Sequence, residues 1–282
     1  MPSKPPGMPE FWLAYSCRSI LSFVEGLTLP MLQVYGIGYS PWSYKARWAL
    51  AWHRIAYGYH EYLPMVGKLG MRFRLGRWSE PITVPLAILD GQIYDDSWDI
   101  AQFADETGAG PCLGTQRDDV AYWNGVSDEI LTLGRIRISL AVAEDREAQR
   151  ASLPPLLRPI PGATALAKLG AQYMLKTYPV ETDHSHLNSE IAQRLDVISG
   201  ALVDRDFLLG TFSYADMAIA ASLQMVEPVR GPFIPVEDAV KIHWQNQALA
   251  TAFPSLCRWR DTIFATQNAP HLESGQSLGP RQ

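Results

Sequence analysis

Long apolar runs, paired cysteines and concentrated charge are all missing from this chain, and each absence closes off a class of protein. The N-terminal stretch Phe11 to Leu29 is apolar in patches, but Arg18 and Glu25 interrupt it. No run there reaches the ~18 to 20 residues that a membrane-spanning helix needs. A secretory leader fits poorly as well, because Pro5, Pro6 and Pro9 follow Lys4 and no small-residue cleavage site closes the apolar part. The three cysteines, Cys17, Cys112 and Cys257, are odd in number, widely spaced and without a C-x-x-C pair. That fits neither a disulfide framework nor a zinc site, and implies a reducing, cytoplasmic compartment. Lys and Arg total 24 against 29 Asp and Glu, a net charge of -5 with no basic run. Such a balance gives no footprint for nucleic acid or an anionic membrane.

What remains is a globular composition, 47% hydrophobic and 19% charged over 282 residues. The length predicts two domains and a core large enough to bury about three quarters of the unfolded surface. Residues 1–30 read as an extension outside the main fold, and Met31, which opens the first good strand, is a candidate natural start.

From Met31 the pattern is ordered. Met31 to Tyr35 alternates as a strand, Gly36 to Ser40 is a loop, and Pro41 is preset for the first turn of a helix carrying Trp42 to Ala56. Gly58 to Leu63 is a second strand. Pro64 to Ser79, glycine-rich and basic with Lys68, Arg72, Arg74 and Arg77, reads as a weak helix. Pro85 to Leu89 and Gln92 to Tyr94 form a hairpin about Asp90-Gly91, and Ser97 to Thr107 follows as a helix. Residues 108–116 are a linker. Beyond them, segments 117–145, 163–178, 188–204, 214–226, 236–252 and 254–266 have apolar residues at helical spacing, and 267–282 reads as a frayed tail.

Two motifs are sharper than pattern. In Thr83-Val84-Pro85 a proline enters a strand, where it removes a ladder donor, so a cis bond is expected. Such a bond would leave the backbone of Val84 as an unused edge able to pair with an extended peptide. Phe212-Ser213-Tyr-Ala-Asp216-Met217 reads as a capping box with a hydrophobic staple, a folding signal. Ser40 before Pro41 and the Asp96-Ser97 pair read, taken alone, as helix caps as readily as functional residues. His184 and His186 lack a third ligand, so no metal site is expected, and His53 and His243 read as structural.

Four segments in register, Tyr39-Ser-Pro-Trp-Ser-Tyr-Lys-Ala-Arg47, Val84-Pro85, Asp96-Ser97 and Phe212-Ser-Tyr-Ala-Asp216, make residues 31–266 resemble the glutathione transferase superfamily. The resemblance implies an α/β thioredoxin-like N-terminal domain over 31–107 and an all-α C-terminal domain over 117–266. It implies a homodimer, with a role in detoxification, that binds glutathione as co-substrate on the first domain and a hydrophobic electrophile between the two, for conjugation, isomerisation or reductive ether cleavage. Gly76-Arg-Trp-Ser-Glu80 and Asp96-Ser-Trp98 are also loosely similar to the bacterial glutathione-dependent β-etherases that cleave lignin-type aryl ethers.

Carried over by that likeness, Ser40 donates to the glutathione sulfur. Val84, held by Pro85, pairs with the cysteinyl backbone, and Asp96 and Ser97 take the γ-glutamyl ammonium and carboxylate. Lys68 or Arg77 takes the glycyl carboxylate. Ser43 is an alternative donor one turn on, with Tyr39 and Tyr35 as weaker ones. Thiolate is the nucleophile, and lowering a thiol pKa by about two units requires about 2.7 kcal/mol. A hydrogen bond from Ser40 and the positive end of its helix could together supply that. Serine at position 40 forms no mixed disulfide, which argues against glutaredoxin-like chemistry, and a non-catalytic binding or scaffold protein is the rival reading.

Overall fold

The computed structural model describes residues 31–270 apart from 64–66, 154–157, 163–164, 166–167, 170–183, 232, 234 and 236. The extension expected over 1–30 and nearly all of the helix expected over 163–178 lie outside the described residues. The chain opens with β1 (Leu32–Gly36), α1 (Pro41–Trp52), β2 (Tyr57–Glu61), α2 (Gly67–Leu75), β3 (Leu86–Leu89), β4 (Gln92–Tyr94) and α3 (Ser97–Thr107). The strands form one mixed sheet in the order β2-β1-β3-β4, with β1 parallel to β2 and antiparallel to β3. Asp90 and Gly91 both take positive φ, 51° and 81°, the backbone of a tight two-residue hairpin turn between β3 and β4.

The strand period sorts side chains to two faces. Leu32 and Val34 join Ala87 in a core shared with Trp48 and Leu50 of α1 and Ile100 and Ala104 of α3. Tyr35 and Leu86 point to the opposite face and meet Tyr62 and Met71, the latter from α2. Each fully buried side chain of this size contributes about 1.5 to 3 kcal/mol, so both faces of a small sheet are covered.

The remainder of the described chain is helical: α4 (Asp118–Glu144), α5 (Arg146–Ala151), α6 (His184–Ala201), α7 (Tyr214–Ser222) with a 3-10 turn at Leu223–Met225, α8 (Asp238–Trp244), α9 (Gln247–Ala252) and α10 (Pro254–Thr266). Every residue of α7 is buried, and a helix apolar on all sides sits at the centre of its domain. At its start, Ser213 N–H (2.9 Å) and Leu208 N–H (2.9 Å) donate to the Asp216 carboxylate, which is the capping box expected from sequence. Its flanking Phe212 packs on Trp52 and Phe207.

The helix expected over 236–252 is two helices. Asn246 breaks it: its backbone N–H donates to Val226 O at 2.7 Å, and its side chain accepts Leu249 N–H at 3.3 Å to cap α9. Among the described residues, no helix is long and apolar enough to cross a membrane.

Candidate active site

The loop between β1 and α1 is tied down at four points. Tyr62 N–H donates to Gly36 O at 2.7 Å and Ser40 N–H to Ile37 O at 2.9 Å. Gly38 N–H donates to Glu61 Oε1 at 2.9 Å, and Ile37 N–H to Ser43 Oγ at 3.1 Å. Gly36 is required by this packing, since a Cβ there would stand 2.8 Å from Ser43 Oγ. Ser40 is thereby held as the N-cap of α1 in extended backbone, φ -77° and ψ 126°, but its hydroxyl makes no capping bond. Its half-buried side chain therefore sits at the positive end of a helix without a partner among the described residues. Ser43 is fully buried and spent on Ile37, which gives it a supporting place behind Ser40. Tyr39 is turned outward, 48% exposed. Tyr35 lies on the α2 side of the sheet, stacked on His60 at 4.6 Å, away from the face that α1 covers.

The Val84–Pro85 bond is cis. The β1–β3 register pairs Tyr35 with Leu86, and the β3–β4 register pairs Ala87 with Tyr94. Continued past the last bonds, these registers bring Val84 between Ile37 on one side and Ser97 on the other. Ile37 and Val84 indeed pack on the same cluster. No described backbone group bonds Val84, so its N–H and C=O remain a short open edge.

Asp96 caps α3, with Oδ1 accepting Trp98 N–H at 2.7 Å and Asp99 N–H at 2.9 Å. Those two N–H groups are therefore already satisfied by Asp96 itself, which leaves the Ser97 end of the first turn for an anion. Asp96 is exposed and Ser97 is buried. Burial, then the neighbouring Asp96, pushes the Asp99 carboxyl upward. Arg77 pairs with Asp95 at 2.5 Å and Glu80 at 3.6 Å, so its charge is already engaged. Lys68, half-buried in the first turn of α2, has no bonding partner among the described residues. The structure thus gathers Ser40, Val84, Pro85, Asp96 and Ser97 at one end of the sheet, with Lys68 on the helix that covers its other face.

A second layer was not anticipated from sequence. Trp42 Nε1 donates to Asp128 Oδ1 at 2.9 Å, while the buried Lys45 ammonium donates to the same oxygen at 2.6 Å and to Asn124 Oδ1 at 2.8 Å. Burial lowers the Lys45 pKa, and Asp128 opposes that shift. Arg135 lies 5.0 Å over the Trp42 ring. From α7, Tyr214 donates its hydroxyl to Ser97 O at 3.2 Å, bracing the start of α3 from the helical domain. The signal that could have found this layer is a lysine three residues after Trp42, on the same helix face. Among the described residues, no group of three or more His, Cys, Asp or Glu could hold a metal ion.

Comparison with known proteins follows the same division of the chain. Residues 39–107 match the family profile of the glutathione S-transferase N-terminal domain, and residues 163–267 match that of the C-terminal domain. No curated protein matches the sequence. Solved structures do. A glutathione S-transferase of Methylobacterium radiotolerans, in complex with glutathione sulfonate, is 16% identical with a TM-score of 0.53 over 89% of this chain and 99% of that one. Another from Methylobacillus flagellatus, with glutathione bound, is 16% identical with a TM-score of 0.51 over 83% and 94%. A possible glutathione transferase of Rhodopseudomonas palustris is 15% identical with a TM-score of 0.52 over 86% and 97%. At such identities the likeness carries the fold.

Proposed function

The chain belongs to the glutathione transferase superfamily, and from that premise we propose that it stabilises glutathione thiolate at Ser40 for attack on an apolar, aromatic electrophile. Residues 31–107 serve as the glutathione-binding domain and 117–266 as the co-substrate domain. The observation that carries this reading is the Ser40 hydroxyl, without a partner among the described residues at the head of α1 and in the same sheet end as the open Val84 edge. An extended tripeptide pairing with Val84 brings its central residue alongside Ser40. There the hydroxyl and the helix terminus favour the anionic sulfur over the neutral one.

The γ-glutamyl ammonium is drawn to Asp96, whose Oδ2 makes no bond to a described residue, and its carboxylate to the buried Ser97. Lys68 takes the glycyl carboxylate. Two of the structural neighbours hold glutathione and glutathione sulfonate respectively, which supports this choice of ligand. The reaction is conjugation or reductive ether cleavage. A cytoplasmic homodimer completes the proposal, and the exposed side chains of Leu69, Phe73 and Trp78 on and after α2 supply an apolar surface suited to a second copy.

Retention on immobilised glutathione, followed by turnover of a generic aryl halide electrophile, tests the reading in wild type and Ser40→Ala. Retention with turnover that falls at least tenfold in the variant supports it. Retention without turnover in wild type instead favours a binding or scaffold protein.

A further inference from the structure

An acid of the helical domain reaches the first turn of α1. Asp128 of α4 reaches Trp42, the second residue of α1, and its side chain remains 40% exposed. A carboxylate beside the helix end that must favour a thiolate works against it. Lys45 offsets that charge. Trp42 and Lys45 are three apart, so they share one face of α1 and converge on the same Asp128 oxygen. Lys45 is wholly buried and also bonded to Asn124, so its charge is fixed in place.

We propose that Lys45 is a positioning residue for the reaction: by neutralising Asp128 it lets the helical domain brace the head of α1 without opposing ionisation of the thiol bound at Ser40. The proposal rests on the reading that glutathione binds at Ser40. The other charged and titratable groups that bear on the pair are Asp96 at the cap of α3, Tyr214 of α7 and, over the Trp42 ring, Arg135 of α4. Lys45 lies five residues beyond Ser40, roughly 8 Å along the helix axis at about 1.5 Å per residue. An acid left unpaired at a separation of about 10 Å shifts a thiol by about half a unit to one unit, allowing for its partial exposure.

The test is ultraviolet titration of the thiol in enzyme-bound glutathione, with calorimetric affinity measured alongside. Lys45→Met should raise the pH of ionisation by about half a unit to one unit. Asp128→Asn should not raise it. The double variant Lys45→Met/Asp128→Leu, which removes the pair without stranding a charge, should return it to within about 0.3 unit of wild type. Rescue by a second substitution is something that loss of structure does not produce. If Lys45→Met does not fold, Lys45→Gln, which retains hydrogen bonding to Asp128, carries the same expectation. Glutathione that binds but ionises at an unchanged pH in the Lys45 variants, or a double variant as impaired as the single one, overturns the proposal alone. Wild type that fails to bind glutathione overturns the reading on which it rests.

Discussion

Substituting Asp105 by alanine should unfold the junction between the two domains, and the size of the effect follows from what its carboxylate holds. The side chain is 4% exposed and accepts Leu113 N–H at 2.6 Å, Thr115 N–H at 2.9 Å and the Thr115 hydroxyl at 2.9 Å. His53 Nε2 stands 3.2 Å away, off line for a hydrogen bond. Removing the carboxylate strands two backbone donors, each costing about 1 to 3 kcal/mol, so the expected loss is about 3 to 5 kcal/mol. Urea denaturation of wild type and variant measures it. The pH dependence carries a sign as well. Burial acts to raise Asp105, but the bonds from Leu113 and Thr115 outweigh it and hold the carboxyl below its ordinary value. Burial likewise holds His53 below its ordinary value. Stability from His53 is therefore complete above its unfolded pKa, about 6.5, and falls as pH drops below that. Stability from Asp105 is complete above about 3.9 and is lost as pH falls through its depressed native value. A loss under 1 kcal/mol, or a variant no less stable than wild type at neutral pH, refutes the reasoning.

Further expectations concern the core and the site. Gly134→Ala places a Cβ 2.6 Å from Met225 Cβ, and the overpacking should cost about 1 to 3 kcal/mol in the same denaturation assay. Asp216→Ala removes the acceptor for Leu208 and Ser213 N–H, with an expected loss of about 2 to 4 kcal/mol. Because burial pushes the Asp216 carboxyl up to about 6, its contribution is greatest below about pH 3.9 and declines as pH rises to about 6. The difference between wild type and Asp216→Asn stability curves isolates that decline. Ser43→Ala removes the acceptor for Ile37 N–H and frees the loop that carries Ser40, so turnover should fall several-fold while stability drops by only about 1 kcal/mol.

The first domain was largely legible from its sequence because its signals are local. Alternation in Leu32 to Tyr35, proline at the head of α1, the Asp90-Gly91 turn and the Asp96 cap each act within a few residues. The capping box at Ser213 and Asp216 was legible for the same reason. The break at Asn246 was not, because it depends on a bond to Val226, twenty positions earlier. Family resemblance proposes Ser40, Val84, Asp96 and Ser97 together for the site, whereas the residues that support them could not be named in advance. Ser43 is separated from Tyr39 and Ser40 by what it does with its hydroxyl, which only the packing at Gly36 and Ile37 reveals. Lys45 and Asp128 are 83 residues apart, and nothing in either segment announces the other.

The central claim concerns the protonation of one sulfur, and titrating the thiol of bound glutathione in wild type and Ser40→Ala examines it directly. The account predicts ionisation about two units below the free thiol value of about 8.5 in wild type, and a rise of one unit or more when the hydroxyl is removed. A bound thiol that ionises as it does in water, or at the same pH with and without the Ser40 hydroxyl, contradicts it.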